Sequence, residues 1–178
     1  MRTDARGLAV AIDAVCRIQG EFTLRSGLTS SEYFDKYRFE SDPVLLGRVT
    51  EAMATFLPGD TEVLGGLELG GIPIATRLSA LTGLPVIFVR KEAKTYGTCK
   101  IAEGGDFAGR RVTLIEDIIT TGGAVRQAAE SLRELGATVN DVVCAIDRSE
   151  PGKNALHEIG LRTISVLTKA DLDDARAR

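Results

Sequence analysis

Tryptophan is absent from this chain of 178 residues, histidine appears once and cysteine three times. The lone His157 argues against a His-rich metal centre and against a Ser–His–Asp triad. Cys16, Cys99 and Cys144 are odd in number and show no C-x-x-C spacing, which disfavours both a disulfide frame and a zinc site. They read as free thiols of a reducing cytoplasm. No run approaches the ~18 consecutive apolar residues that cross a bilayer. The N-terminus, Met1-Arg2-Thr3-Asp4-Ala5-Arg6-Gly7, has no apolar stretch for a signal or anchor. A basic excess is missing too: 22 Lys and Arg face 25 Asp and Glu, for a net charge of −3. That balance gives no footing for nucleic acid or an acidic membrane surface. A small anionic metabolite fits only where cations gather locally.

What is present is the material of one domain. With 44% apolar residues the chain can bury a core without disulfides or metal. Residues 4–19 place Leu8, Ala11, Ile12, Val15 and Ile18 at helical spacing, ending at Gly20. A short strand follows at 21–24, then Ser26-Gly27, then an extended piece at 33–37. Ser41-Asp42-Pro43 opens a helix with a capping residue and a first-turn proline, and Pro58-Gly59 stops it. Beyond this point strand and helix alternate: strands at 63–67, 85–89, 111–116, 139–146 and 161–167, helices at 72–81, 123–135 and near 153–159. Continuous β-branched runs between amphipathic helices predict a doubly wound parallel sheet of about five strands, flanked by helices. Residues 1–40 are expected to form a small N-terminal hood on an α/β core of residues 41–178. The long gap at 91–109 has the profile of a mobile loop.

The segment 112–124 reads V-T-L-I-E-D-I-I-T-T-G-G-A. A buried strand delivers Glu116 and Asp117, and Thr120, Thr121, Gly122 and Gly123 follow at the mouth of a helix. Ligands of open α/β sheets bind at the carboxyl ends of strands, where a helix N-terminus offers N–H groups to a phosphate. The two carboxylates would repel that phosphate, so they are expected to face sugar hydroxyls or a Mg²⁺ ion. No Lys follows the glycines, which excludes a nucleotide P-loop. Residues 90–100, R-K-E-A-K-T-Y-G-T-C-K, gather Arg90, Lys91, Lys94 and Lys100 into the densest positive patch. At 22–35, F-T-L-R-S-G-L-T-S-S-E-Y-F-D, Tyr33 and Phe34 offer either a planar wall or hood core. Arg148, after Ala145-Ile146-Asp147, sits at a strand's carboxyl end, where a guanidinium can fork a carboxylate.

These four segments, together with G-G-L-E-L-G-G-I-P-I-A at 65–75, resemble the type I phosphoribosyltransferases, and within them the orotate phosphoribosyltransferases, over roughly residues 20–170. The resemblance implies transfer from 5-phosphoribosyl 1-diphosphate (PRPP) to orotate, giving orotidine 5′-monophosphate and diphosphate with Mg²⁺, in pyrimidine biosynthesis. It implies that Glu116 and Asp117 engage the ribose, and that Ile118, Ile119, Thr120, Thr121, Gly122, Gly123 and Ala124 surround the 5′-phosphate. Leu69 and Gly70 would meet the diphosphate by their backbone, where relatives can carry a non-proline cis peptide. Arg25, Arg90, Lys91, Lys94 and Tyr96 complete the implied donor set, with Lys91, Lys94 and Asp117 catalytic. Tyr96 stands where many members have His, and Arg25 where many have Lys. Tyr33, Phe34, Thr120 and Arg148 would hold orotate. A homodimer sharing loop 90–100 is implied as well. A phosphoribosyltransferase for another base and a PRPP-sensing transcriptional regulator are the alternatives. Arg148 counts against the first, and the lack of a DNA-binding extension against the second.

Overall fold

A computed structural model describes residues 5–23, 27–92, 101–150 and 155–176. The chain runs α1 (Ala5–Cys16), β1 (Arg17–Thr23), β2 (Thr29–Phe34), α2 (Tyr37–Glu40), α3 (Pro43–Ala54), β3 (Val63–Leu67), α4 (Gly71–Thr82) and β4 (Val86–Val89). It continues through β5 (Ala102–Gly104), β6 (Arg111–Ile119), α5 (Gly123–Glu134), β7 (Thr138–Asp147), a 3-10 turn (Ala155–Ile159), β8 (Arg162–Thr168) and α6 (Lys169–Arg176). The main sheet has the order β5-β4-β3-β6-β7-β8, and β1-β2 form a separate antiparallel pair. Five of the six main strands run parallel, while β5 pairs antiparallel with β4. The sheet is therefore mixed, not purely parallel: the return of the 91–109 segment adds an edge strand too short to carry a sequence signal.

Local chemistry explains where the elements begin and end. Asp42 caps α3, its carboxylate accepting from the Val44 and Leu45 N–H groups at 2.8 and 2.9 Å, with Pro43 in the first turn. Gly83 closes α4 in the left-handed region at φ 75°, and its N–H donates to the Ser79 carbonyl. Helix α5 buries Val125, Ala128, Ala129 and Leu132, a stripe at three- and four-residue spacing. The sheet is covered on both faces. Leu64, Ile115, Val143 and Ala145 pack with α1, α3, α4 and α6, whereas Val63, Leu114, Val142 and Cys144 pack with α5 and Leu156.

Several boundaries differ from the expectation. Helix α1 stops at Cys16 because Arg17, Ile18 and Gln19 pair with Phe34, Tyr33 and Glu32, so cross-strand bonding overrides the helical spacing. Tyr37 opens α2 instead of extending β2. Strand β6 runs on to Ile119, so Glu116 and Asp117 lie inside its last turns of pleat and not beyond its end. Of the helix expected near 153–159 the described part, Ala155–Ile159, is 3-10, and α6 has no counterpart among the expected elements. Leu8, Ala9, Ile12 and Cys16 of α1 sit in the same buried cluster as α3 and α4. The hood expected over residues 1–40 thus reduces, among the described residues, to the β1-β2 hairpin.

Phe39 anchors the link between hairpin and core: it is fully buried in that cluster while α2 is only four residues long. Truncation to Phe39→Ala is expected to cost about 3–5 kcal/mol, as for other large core aromatics. Urea unfolding measures it, and a loss below about 1 kcal/mol would mean that α2 is not held by this side chain.

Candidate active site

The parallel strands end side by side, and each delivers one part of the site. In sheet order Arg90 follows β4, Glu68–Gly70 follow β3, Thr120–Gly122 follow β6 and Arg148 follows β7. Backbone hydrogen bonds hold these ends in register. The Glu68 N–H donates to the Val89 carbonyl at 2.8 Å, and the Arg148 N–H donates to the Ile119 carbonyl at 2.8 Å. Glu68 also accepts from the Lys91 N–H at 2.7 Å, which ties the β3 turn to the start of the basic segment. Arg90 is half-buried, and its Nε has no partner among the described groups. Lys91 is exposed. Arg25, Lys94, Tyr96 and Cys99 lie outside the described residues.

The β6–α5 turn has the shape of an anion cradle. Gly122 is left-handed at φ 77°, caps α5 and carries no side-chain cap bond. The first-turn N–H groups of Gly123, Ala124 and Val125 have no acceptor within the helix. Thr120, Thr121, Gly123 and Ala124 are exposed around them. A Cβ on Gly122 would approach Leu156 Cγ to 2.9 Å, so the 3-10 turn backs the cradle and only glycine fits. Ile119 is 2% exposed in the core, whereas Ile118 is half-buried and its N–H donates to Asp117 Oδ1.

Behind the cradle lies a buried ionic cluster. Asp117 is 0% exposed, while Glu116 opens partly to the surface. Lys36 Nζ lies 2.5 Å from Asp117 Oδ2. A Cβ on Gly70 would fall within 1.8 Å of that oxygen and 2.8 Å of Glu40 Oε1, so the two carboxyl groups and the β3–α4 turn converge on one point. The peptide in this turn that is cis is Glu68–Leu69, one bond before the Leu69–Gly70 position expected. Leu69 is 61% exposed and Gly70 is buried.

Burial raises Glu116 well above the ordinary carboxylate range, with the bond to Asp117 and its charge adding to it. Burial, then Asp117, pushes Glu40 up to about 8. For Asp117, burial opposes the charge, but hydrogen bonds with Glu116 and Glu40 and the Lys36 ammonium outweigh it and hold the carboxyl below its usual value. Burial thus favours the protonated form of Glu40 and Glu116 around one carboxylate paired with one ammonium. No sequence motif marked Lys36 or Glu40. Only the chain path through α2 brings them here.

A second surface is built from the hairpin and β7. The Phe34 ring lies 5.1 Å from the Arg148 guanidinium and 5.9 Å from that of Arg17. Tyr33 is 47% exposed, and its ring stacks at 5.5 Å on Phe22. Arg17 is saturated by Asp13 and Glu32, both at 2.7 Å. Arg148 is half-buried and, among the described residues, no carboxylate pairs with it. Burial and the charge of Arg17 pull its pKa down, against the distant Asp173. Asp147 is occupied by the Ser149 N–H and hydroxyl. An open cation beside an aromatic face is a receptor for a planar carboxylate.

The Glu40 environment has a measurable consequence. An acid held at about 8 in the fold and near 4.5 when unfolded binds its proton more tightly in the native state. Native stability therefore falls as pH rises through that window. Glu40→Gln removes the loss. Its melting temperature is expected to match the wild type near pH 4.5 and to exceed it by a widening margin toward pH 8. A margin that stays constant across the window would contradict the assignment.

The chain matches the family model described as a phosphoribosyl transferase domain over residues 51–165. It is 64% identical over 169 residues to the orotate phosphoribosyltransferase of Nocardioides sp. strain JS614, covering 95% of this chain and 94% of the relative. The crystal structure of Mycobacterium tuberculosis H37Rv orotate phosphoribosyltransferase with Fe(III) dicitrate superposes with a TM-score of 0.83 at 32% identity, covering 95% of this chain and 98% of the other. The complex of the M. tuberculosis enzyme with PRPP gives a TM-score of 0.78 at 30% identity, over 96% and 99%. By family model, sequence identity and fold together, this chain belongs to the orotate phosphoribosyltransferases of the phosphoribosyl transferase domain family.

Proposed function

We propose that the protein transfers the 5-phosphoribosyl group of PRPP to N1 of orotate, releasing diphosphate and forming orotidine 5′-monophosphate. The observation that carries the acceptor is Arg148, a half-buried guanidinium over the Phe34 ring that pairs with no carboxylate among the described residues and lies one backbone hydrogen bond from the end of β6. Orotate is a planar ring bearing a carboxylate. Arg148 and Thr120 would take the carboxylate, with Phe34 and Tyr33 along the ring. The 5′-phosphate would sit on the Gly122–Ala124 cradle, with Glu116 toward the ribose hydroxyls. The exposed Leu69 backbone, Arg90 and Lys91 would face the diphosphate, joined by Arg25, Lys94 and Tyr96 from outside the described residues.

In this reading the C1–O bond to diphosphate breaks as the bond to orotate N1 forms, and no protein nucleophile intervenes. The chain's contribution is to hold both substrates in line and to stabilise charge on the departing diphosphate. Among the described residues no three metal-ligating side chains assemble a cage. Glu116, partly open to the surface, would be the side chain to reach a Mg²⁺ ion carried in by the donor. Mg²⁺ bound with the donor supplies neutralisation of its diphosphate. The enzyme is proposed to act as a cytoplasmic homodimer with loop 90–100 shared between subunits, which rests on the sequence resemblance. Among the described residues no helix is long and apolar enough to cross a membrane.

Incubation with PRPP and Mg²⁺ beside orotate, uracil, hypoxanthine and adenine tests the reaction by ultraviolet absorbance. Only orotate is expected to disappear. Arg148→Ala is expected to raise the orotate KM about 10- to 100-fold, the loss of a charge-assisted hydrogen bond of about 1.5–3 kcal/mol, with the donor KM little changed. Consumption of uracil at the rate of orotate would overturn the carboxylate assignment.

A further inference from the structure

Arg25, Arg148 and the basic loop are the cations that the family motifs provide, yet the cation in contact with Asp117 is a different residue. Lys36 Nζ stands 2.5 Å from Asp117 Oδ2. Its side chain comes from the turn between β2 and α2, with the Tyr37 ring 5.3 Å away. A lysine serving only to neutralise a buried carboxylate can be buried with it, but the Lys36 side chain keeps 32% of its surface open while Asp117 has none. Lys36 therefore reaches from the solvent side of the cluster to its buried floor. The ammonium also acts beyond its partner: among the described groups it is the cation whose charge bears on Glu40, Glu116 and Asp117 alike. Gly70, the turn residue next to the exposed Leu69 backbone, abuts the same Asp117 oxygen. Lys36, the β3–α4 turn and the end of β6 thus meet around one point.

We propose that Lys36 is a donor-binding residue: its ammonium cancels the Asp117 charge at the floor of the site and presents positive charge to the diphosphate of the entering donor. The inference rests on the donor reading given above. PRPP carries several negative charges, and an uncompensated carboxylate at this position would repel it through a poorly screening interior. Lysine suits the task because its ammonium is a compact point charge on a flexible stem, able to share itself between Asp117 and a phosphate oxygen.

The test uses the full chain with Lys36→Met, Lys36→Gln and Lys36→Arg. Binding of inorganic diphosphate and of ribose 5-phosphate is measured by calorimetry, and KM for PRPP and for orotate by steady-state kinetics. Both neutral variants are expected to weaken diphosphate binding and raise the PRPP KM at least about tenfold, one charge-assisted contact. The orotate KM is expected to change less than twofold, and Lys36→Arg to recover most of the loss. The neutral variants should also lose part of the salt dependence of diphosphate binding, a readout that a packing role would not move. Unchanged diphosphate affinity in the neutral variants, equal losses for both substrates, or failure of Lys36→Arg to recover would overturn the proposal. The calorimetry does not depend on turnover, so a wild type that binds diphosphate but spares orotate would refute the reaction and leave the Lys36 comparison to be judged separately.

Discussion

The carboxylate of Asp117 is the constraint around which the carboxyl end of the sheet is arranged. It is fully buried near the end of β6, its Oδ2 lies 2.5 Å from Lys36, and no Cβ fits beside it at Gly70. A buried charge without a partner is too costly to keep, so this one dictates where its neighbours go. Lys36 arrives from the hairpin side, which requires α2 to be pinned by Phe39. Glu40 comes with α2 and is held protonated by burial beside Asp117. The β3–α4 turn must approach without side chains, and it does so through Gly70 and Gly71. A Cβ on Gly71 would fall 2.3 Å from the Ile115 carbonyl oxygen. One charge therefore couples the hairpin, α2, the β3–α4 turn and β6.

That coupling joins the two halves of the site. The segment that brings Lys36 to Asp117 is the one that places Phe34 and Tyr33 two and three residues earlier. Phe34 in turn meets Arg148, which is bonded through its backbone to Ile119 at the end of β6. The proposed donor and acceptor surfaces thus lie on a single closed circuit running β6, Lys36, Phe34, Arg148 and back to β6. The charge network on the hairpin's outer side, where Glu32 binds both Arg17 and Arg176 of α6, braces this circuit against the core.

Much of this was legible in the residues. The apolar runs that became β3, β4, β6, β7 and β8, the Asp42 cap and the Gly83 stop carry their signals locally, and the E-D-I-I-T-T-G-G segment marked the β6–α5 turn at the carboxyl end of the sheet. Other features had no local signal. Arg17–Gln19 continue a helical spacing, and only pairing with β2 makes them a strand. Strand β5 is three residues long and is defined by the β4 edge it meets. The 3-10 turn replaces a helix where Leu156 must reach Gly122. No motif marks Lys36 or Glu40, since their placement depends on contact with Asp117, far along the sequence. Ile118 and Ile119 entered the donor set by their place in the motif, and the pleat sends them to opposite faces of the sheet, Ile119 into the core and Ile118 half-buried against the other cluster.

A double-mutant cycle on Lys36→Met and Asp117→Asn, read as diphosphate affinity by calorimetry, tests the central claim most directly. If Asp117 is the charge that Lys36 exists to cancel, the loss on removing Lys36 shrinks sharply once Asp117 is neutral. A coupling of about 0.5–3 kcal/mol is then expected, the range for residues in contact. Strict additivity of the two substitutions would contradict the account, because the ammonium and the carboxylate would then act on the donor independently.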